Sequence, residues 1–177
     1  MRKSLPIIAV AIAIVFAGAQ WWMKKESRNS PSLVYSRDDP IHYFSLPDVS
    51  GQQVDIQPII EQNKLTWIGF GQTGCGPCRR MFPVMKKMHE KYQESGLGMV
   101  LVQVGDSREA ARRLAEAYTL EFPVLVDARN VQSQRINMEE LPTSFLVDST
   151  GTIKHISPGL FNIRHWPYSI EYWLQKE

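Results

Sequence analysis

Two cysteines separated by two residues carry the clearest chemical signal in this sequence. Cys75 and Cys78 enclose Gly76 and Pro77, and they are the only cysteines among the 177 residues. Thiols at this spacing, at the start of a helix, can close a small disulfide ring, and the helix N-terminus stabilises a thiolate on the first of them. A thiolate is the form that attacks a disulfide. The pattern therefore predicts reversible dithiol and disulfide chemistry, with Cys75 as nucleophile and Cys78 as resolving thiol.

Strand patterns surround the two cysteines. Apolar runs of strand length alternate with segments of helical period, as expected for a sheet with helices on its faces. Five strands are predicted, at residues 65–70, 99–104, 122–126, 143–147 and 152–156. The last two are separated by a turn sequence and should form a hairpin. The cysteine motif thus falls between a strand and a helix, which is the placement that redox use requires.

Three helices are predicted next to these strands. One begins at Cys78 and contains Pro83, which should kink it. Another is capped by Asp106 or Ser107 and lies between the second and third strands, so it predicts a right-handed parallel crossover. Its apolar residues recur at helical spacing, at Ala111, Leu114, Ala115 and Tyr118. The aromatic residues at 166–173 are predicted to belong to a C-terminal helix laid against the sheet.

Four segments of the chain, taken in order, match one family. They are a hairpin at 44–51, the cysteine motif at 75–78, a strand-helix-strand insertion at 100–127 and a segment at 141–148. In this order they resemble the thioredoxin fold, and specifically the membrane-anchored, exported TlpA/ResA/CcmG-like thiol:disulfide oxidoreductases. The resemblance implies an α/β thioredoxin-like domain over residues 41–177, with a central mixed sheet flanked by helices. It also implies that Pro142 is a cis-proline beside the active site.

The resemblance implies a catalytic cycle that needs no metal and no organic cofactor. In the family, the first cysteine attacks a disulfide of a substrate protein to give a mixed disulfide, and the second cysteine resolves it. A membrane electron donor then reduces the enzyme again. The redox-active disulfide would be Cys75–Cys78, and Gly76 and Pro77 match the dipeptide of reducing thioredoxins, which favours a reductase over an oxidant.

The same resemblance predicts where a substrate protein would lie. The family binds an extended substrate segment along the main chain at the cis-proline, as a short form of strand addition. The residues expected to contact substrate are Gly74, Gly76, Pro77, Leu141, Pro142 and Thr143.

The sequence departs from the family at three positions near the cysteines. Gly74 replaces the aromatic residue that usually precedes the first cysteine, Gly69 replaces the buried acid of thioredoxin, and Met81 replaces a Glu of some members. Proton transfer to and from the two cysteines should therefore differ from that in the family. Arg79 and Arg80, which follow the second cysteine, could favour the thiolate or could form an ordinary solvated face.

Residues 1–23 differ in composition from the rest of the chain. The apolar run at 5–23 would be about 28 Å long as a helix, which is enough to span a bilayer. Paired Trp and Lys residues at 21–25 resemble an interfacial anchor, whereas the small residues at 17–19 are typical of a signal-peptide cleavage site. Both interpretations predict export, with the domain on the periplasmic or extracytoplasmic side of a bacterial inner membrane, anchored by one span or soluble after cleavage. The basic residues on the two flanks nearly balance, so the positive-inside rule leaves a cytoplasm-facing domain as the minority alternative. Residues 24–40 are polar and turn-rich, and they predict a linker.

Composition and motifs weigh against other classes. The net charge is +2 and no basic run exceeds two residues, so nucleic acid is not an expected partner. A peroxiredoxin would share the fold, but Thr73 has the wrong spacing from the first cysteine. The alternative function is a copper chaperone or thiol-based binding module without turnover, for which Met81, Met85 and Met88 have suggestive spacing. Core packing explains these methionines better, and no residue is predicted to bind a metal.

Overall fold

The computed structural model describes residues 35–159 and 165–176, so the predicted anchor or signal peptide at 1–23 lies outside the described residues. The strands are β1 (Ser45–Pro47), β2 (Gln53–Asp55), β3 (Leu65–Gly71), β4 (Leu97–Val104), β5 (Val124–Asp127), β6 (Thr143–Asp148) and β7 (Ile153–Pro158). The helices are α1 (Ile56–Glu61), α2 (Cys78–Tyr92), α3 (Arg108–Tyr118), α4 (Val131–Arg135) and α5 (Trp166–Lys176). Within these described ranges, none of the helices has the length and apolar character needed to cross a bilayer.

A five-stranded mixed sheet occupies the centre of the domain, in the order β5-β4-β3-β6-β7. β4 is parallel to both β3 and β5, whereas β6 is antiparallel to both β3 and β7. The N-terminal hairpin of β1 and β2 is separate, and the β4-α3-β5 unit is the predicted insertion. The fold is therefore the thioredoxin-like α/β architecture that the sequence resemblance implied. Because β6 runs against β3, the end of β3 and the start of β6 meet at one edge of the sheet.

Helices cover both faces of this sheet. On β3, Leu65 and Trp67 belong to a core shared with α2, α3 and α5, while Ile68 and Phe70 belong to a second core shared with α1 and the hairpin. Burial on both faces explains why the central strands are almost continuously apolar rather than alternating. β3 is thus fixed from both sides, and its carboxyl end leads into the cysteine motif.

The predicted strand and helix positions are confirmed, with shifts of one or two residues at several ends. β4 begins at Leu97, two residues earlier than predicted, and β5 begins at Val124, two residues later. Pro123 accounts for the second shift, since proline has no backbone N–H to donate to the ladder. Pro83 lies inside α2 as expected. The kink expected there stays a prediction.

Two short helices were not predicted from the sequence. α1 is capped by Asp55, whose carboxylate accepts the N–H of Gln57 at 2.9 Å. α4 begins where the buried carboxylate of Asp127 accepts three consecutive backbone N–H groups, those of Val131, Gln132 and Ser133. Both helices depend on one side chain, supplied by the end of the preceding strand, that satisfies the free donors of a first turn.

The last residues of the predicted linker lie against the sheet. The N–H of Asp38 donates to the carbonyl oxygen of Ile153 at 2.8 Å, and the N–H of Ile41 donates to that of Gly151 at 2.7 Å. The chain is therefore attached to the β6-β7 hairpin from Asp38 onward.

The C-terminal helix is held by stacked aromatic rings. Trp166 of α5 stacks on Trp67 of β3 with ring centroids 4.4 Å apart and planes 10° apart, and both side chains are buried. Offset stacking of buried rings adds to the stability gained from their apolar area.

We predict that Trp166→Ala lowers the free energy of unfolding by about 3–5 kcal/mol, because it removes this stack and leaves a cavity against Trp67. Urea denaturation followed by circular dichroism measures the loss. Tyr168→Ala is the matched control, since Tyr168 lies on the same helix but is 70% exposed, and its change should stay within about 0.5 kcal/mol. Equal effects of the two substitutions would contradict the stacking argument.

Candidate active site

Cys75 and Cys78 form a disulfide at the start of α2, with their Cα atoms 5.2 Å apart. Cys75 lies in the turn before the helix and is partly exposed, whereas Cys78 is the first residue of the helix and is fully buried. The two sulfurs therefore differ in access. A molecule arriving from solvent reaches Cys75 before Cys78.

The backbone of α2 is directed at the exposed sulfur. The N–H of Cys78 donates to Sγ of Cys75 at 3.1 Å. Pro77 occupies the N-cap position and makes no side-chain capping bond, and the first turn of the helix contains no acidic residue. The partial positive charge of the helix N-terminus is consequently available to a negative charge on Cys75 once the disulfide is reduced.

The segment before β6 lies on the other side of the same sulfur. The carbonyl oxygen of Leu141 is 3.8 Å from Sγ of Cys75, and the Leu141–Pro142 peptide bond is cis, as the resemblance implied. Thr143 begins β6 opposite Phe70 of β3, and its hydroxyl donates to the carbonyl oxygen of Glu140 at 2.7 Å. The antiparallel pairing of β3 with β6 thus brings together the cysteines and the predicted substrate-binding residues, which are far apart in sequence.

The other three predicted substrate-binding residues form the open rim of the disulfide. Gly74, Gly76 and Pro77 are exposed. A Cβ atom built on Gly74 or Gly76 would meet no atom within 4 Å. The glycine that replaces the usual aromatic residue therefore leaves free space beside Cys75, and an incoming segment can approach the sulfur closely.

A side chain from the neighbouring strand end fixes the loop that carries Cys75. The carboxylate of Asp106 accepts the N–H of Thr73 at 2.7 Å and its hydroxyl at 2.8 Å, and Asp106 is buried. The sequence offered Asp106 or Ser107 as a helix cap, and the structure gives the cap to Ser107, whose Oγ accepts the N–H of Ala110. The bond to Thr73 was not predicted, although an Asp two residues after the end of a buried strand is a usable signal.

Methionines occupy the space below the disulfide. A Cβ atom on Gly69 would lie 2.9 Å from Sδ of Met85, and one on Gly71 would lie 3.0 Å from the ring of Phe82. The hydroxyl of Ser144 donates to Sδ of Met81 at 3.5 Å. The positions where related proteins carry acids are thus filled by close packing between α2 and β3.

The histidines for which the structure gives ring contacts pack against aromatic side chains away from the cysteine motif. Among the described residues, no group of three or more His, Cys, Asp or Glu side chains is placed to hold a metal ion. His89 packs against Phe122 and His155 against Trp166. Burial lowers the pKa of both histidines, since it disfavours their charged form.

Residues 38–156 match the sequence profile of the AhpC/TSA family. The chain belongs to this family. It is similar to the thiol-disulfide oxidoreductase ResA of Geobacillus kaustophilus, with 30% identity over 116 residues. The matched residues are 66% of this chain and 66% of that relative, which is just under two thirds of its length. It is 25% identical to ResA of Bacillus cereus over 86% of this chain and 87% of that one.

Solved structures agree with this placement. A candidate thiol:disulfide interchange protein DsbE from Chlorobium tepidum matches with a TM-score of 0.72 and 26% identity, over 81% of this chain and 99% of that one. The peroxidoxin BcpB from Mycobacterium tuberculosis matches with a TM-score of 0.69, but at 15% identity it shows the shared fold alone. The thioredoxin-like fold is therefore established by comparison as well as by topology.

We predict that Asp106→Ala lowers the free energy of unfolding by about 1–3 kcal/mol, because it leaves two donors of Thr73 without their acceptor. Thr73→Val, which removes only the hydroxyl, should cost about 1 kcal/mol. The double variant should lose no more than Asp106→Ala alone, since both changes break the same contact. Denaturation of the oxidised protein measures the three values, and additive losses would show that the two side chains act independently.

Proposed function

We propose that this thiol-disulfide oxidoreductase works outside the cytoplasm as a reductase of protein disulfides. The observation that carries the proposal is the unequal exposure of its two sulfurs: Cys75 is partly exposed and faces a helix N-terminus, and Cys78 is fully buried directly behind it. Two relatives named thiol-disulfide oxidoreductase ResA support the chemistry. The Gly76–Pro77 dipeptide, which matches that of reducing thioredoxins, supports reduction of the substrate rather than its oxidation.

The proposed reaction begins with the reduced protein. The thiolate of Cys75 attacks one sulfur of a substrate disulfide, a mixed disulfide forms, and the other substrate sulfur leaves as a thiolate. The thiolate of Cys78 then attacks Sγ of Cys75, which closes the Cys75–Cys78 disulfide and releases the second substrate sulfur. Two electrons pass from the protein to the substrate. A membrane electron donor would restore the dithiol.

The geometry suits each of these steps. The backbone nitrogen of Cys78 lies 3.1 Å from Sγ of Cys75, so its N–H can stabilise that sulfur when it is the attacking thiolate. Cys78 is fully buried, so a folded substrate cannot react with it first. The Leu141 carbonyl near Sγ of Cys75 is placed to accept a main-chain hydrogen bond from an extended substrate.

We predict that Cys78→Ser accumulates mixed disulfides with substrate proteins in cells, because the resolving thiol is gone while Cys75 still attacks. Cys75→Ser is the matched control and should trap none. Non-reducing electrophoresis and mass spectrometry of the trapped species measure the outcome and identify the substrates. Trapping through Cys75→Ser instead would reverse the proposed roles.

A copper chaperone on the same fold makes a different prediction. It would bind Cu(I) stoichiometrically through the reduced cysteines and would not turn over insulin disulfides with dithiothreitol. Titration of the reduced protein with Cu(I), in parallel with the insulin assay, separates the two functions. Tight copper binding without reductase activity would replace the proposed function by the chaperone.

The proposed location has its own test. We predict that an impermeant thiol reagent labels Cys75 in cells whose outer barrier is opened, and that Cys75→Ser abolishes the label. Cell fractionation and the intact mass of the protein then distinguish a retained membrane anchor from a cleaved signal peptide. Labelling that requires lysis of the inner membrane would place the domain in the cytoplasm.

A further inference from the structure

A groove with two arginines on its rim lies beside the active site. It runs between α2 and α3 and has a volume of about 290 Å³. Phe82, Leu114 and Tyr118 contribute apolar surface to its lining. Arg79 and Arg113 stand on its two walls.

The topology places this groove on the path of a substrate. β3 lies between β6 and β4 in the sheet, so the segment at Leu141 and the loop that leads from β4 into α3 lie on opposite sides of the end of β3. Thr73, two residues before Cys75, lines the near end of the groove. A segment that pairs with Leu141 and crosses Cys75 therefore arrives at the groove.

The two arginine side chains of the groove are available to a ligand. Among the described residues, no carboxylate forms an ion pair with Arg79, whose Nε donates only a long bond of 3.4 Å to the carbonyl oxygen of Thr73. Arg113 pairs with Glu109 at 2.9 Å, and that same carboxylate also binds Arg112. Each guanidinium has five N–H donors, so both arginines retain free ones.

The opposite side of the disulfide carries the opposite charge. Glu139 and Glu140, both exposed, directly precede Leu141. An acidic side chain on a substrate is therefore repelled from the Leu141 side and attracted to the groove, while its apolar neighbours can cover Phe82 and Tyr118. This difference in charge between the two sides of the disulfide can orient a substrate segment as well as bind it.

We propose that this groove is a subsite for an acidic residue of the substrate protein, an Asp or Glu close in sequence to the reacting cysteine, whose carboxylate binds Arg79 and Arg113. The inference rests on the proposed function, because it assigns a substrate class to the same active site.

Three peptides test the proposal, each with a single internal disulfide and identical except for Glu, Gln or Lys two residues from one cysteine. The rate constant kcat/KM for their reduction by the full-length reduced protein should fall in the order Glu, Gln, Lys, with Glu about three- to tenfold above Gln. The preference should shrink as the ionic strength is raised, since salt screens exposed charges.

The variant Arg79→Gln/Arg113→Gln should remove the preference for Glu over Gln. The ratio of the two rates cancels any change in the reactivity of Cys75 itself. Arg112→Gln is the matched control: Arg112 is an exposed arginine of the same helix that pairs with Glu109 and Glu116, and its variant should keep the preference.

The outcomes are distinct. Equal reduction of all three peptides would overturn the subsite and leave the reductase intact. A preference that survives in the double variant would place the selecting charge elsewhere and would also overturn it. Reduction of none of the peptides would overturn the proposed function, and this inference with it.

Discussion

The close packing of α2 on β3 is the constraint on which the rest of the site depends. Gly69 and Gly71 offer no side chain on the face toward α2, and Met85 and Phe82 of the helix occupy the space where Cβ atoms would stand. A Cβ at position 69 would lie closer to Sδ of Met85 than real Cβ atoms come to a neighbour, so that side chain would have to move, and a Cβ at position 71 would press on the ring of Phe82 at 3.0 Å. The position of the helix fixes the position of its N-terminus, and with it the N–H of Cys78 that meets Sγ of Cys75.

This packing also determines which groups can stabilise a negative charge on Cys75. A buried acid at position 69 would need room that Met85 already takes, and Met81, one turn below the disulfide, is buried against Ser144. The fixed dipoles of the helix N-terminus remain beside Cys75, where they favour a thiolate without any side-chain charge. The carboxylate of Asp106, which is engaged twice by Thr73, acts on the shape of the loop.

The sequence was sufficient for elements whose signals are local. The apolar runs predicted the strands of the sheet, the spacing of apolar residues predicted α3, and the cysteine spacing predicted the redox site at the start of α2. The resemblance of four segments to one family supplied the cis bond at Pro142. Two of the missed features depend on partners that are distant in sequence. The Asp106–Thr73 contact joins residues 33 apart in sequence. The groove between α2 and α3 exists only because the crossover places two helices on one face, which no single segment encodes.

Fold and family do not by themselves separate disulfide exchange from the other chemistries that this architecture supports, because function resides in the site that a fold carries. A peroxidoxin shares the fold at a TM-score of 0.69. What supports exchange with other disulfides here is the second sulfur, which lies three residues after the first and directly behind it, so that the ring closes within one helical turn and needs no second element to move. The open rim at Gly74 and Gly76 then admits an extended chain rather than only a small molecule. A substrate segment that lies across Gly74 and Gly76 meets Glu140 on one side of Cys75 and Arg79 on the other. The same geometry that exposes Cys75 therefore allows the site to select substrate proteins by the charge near their reacting cysteine.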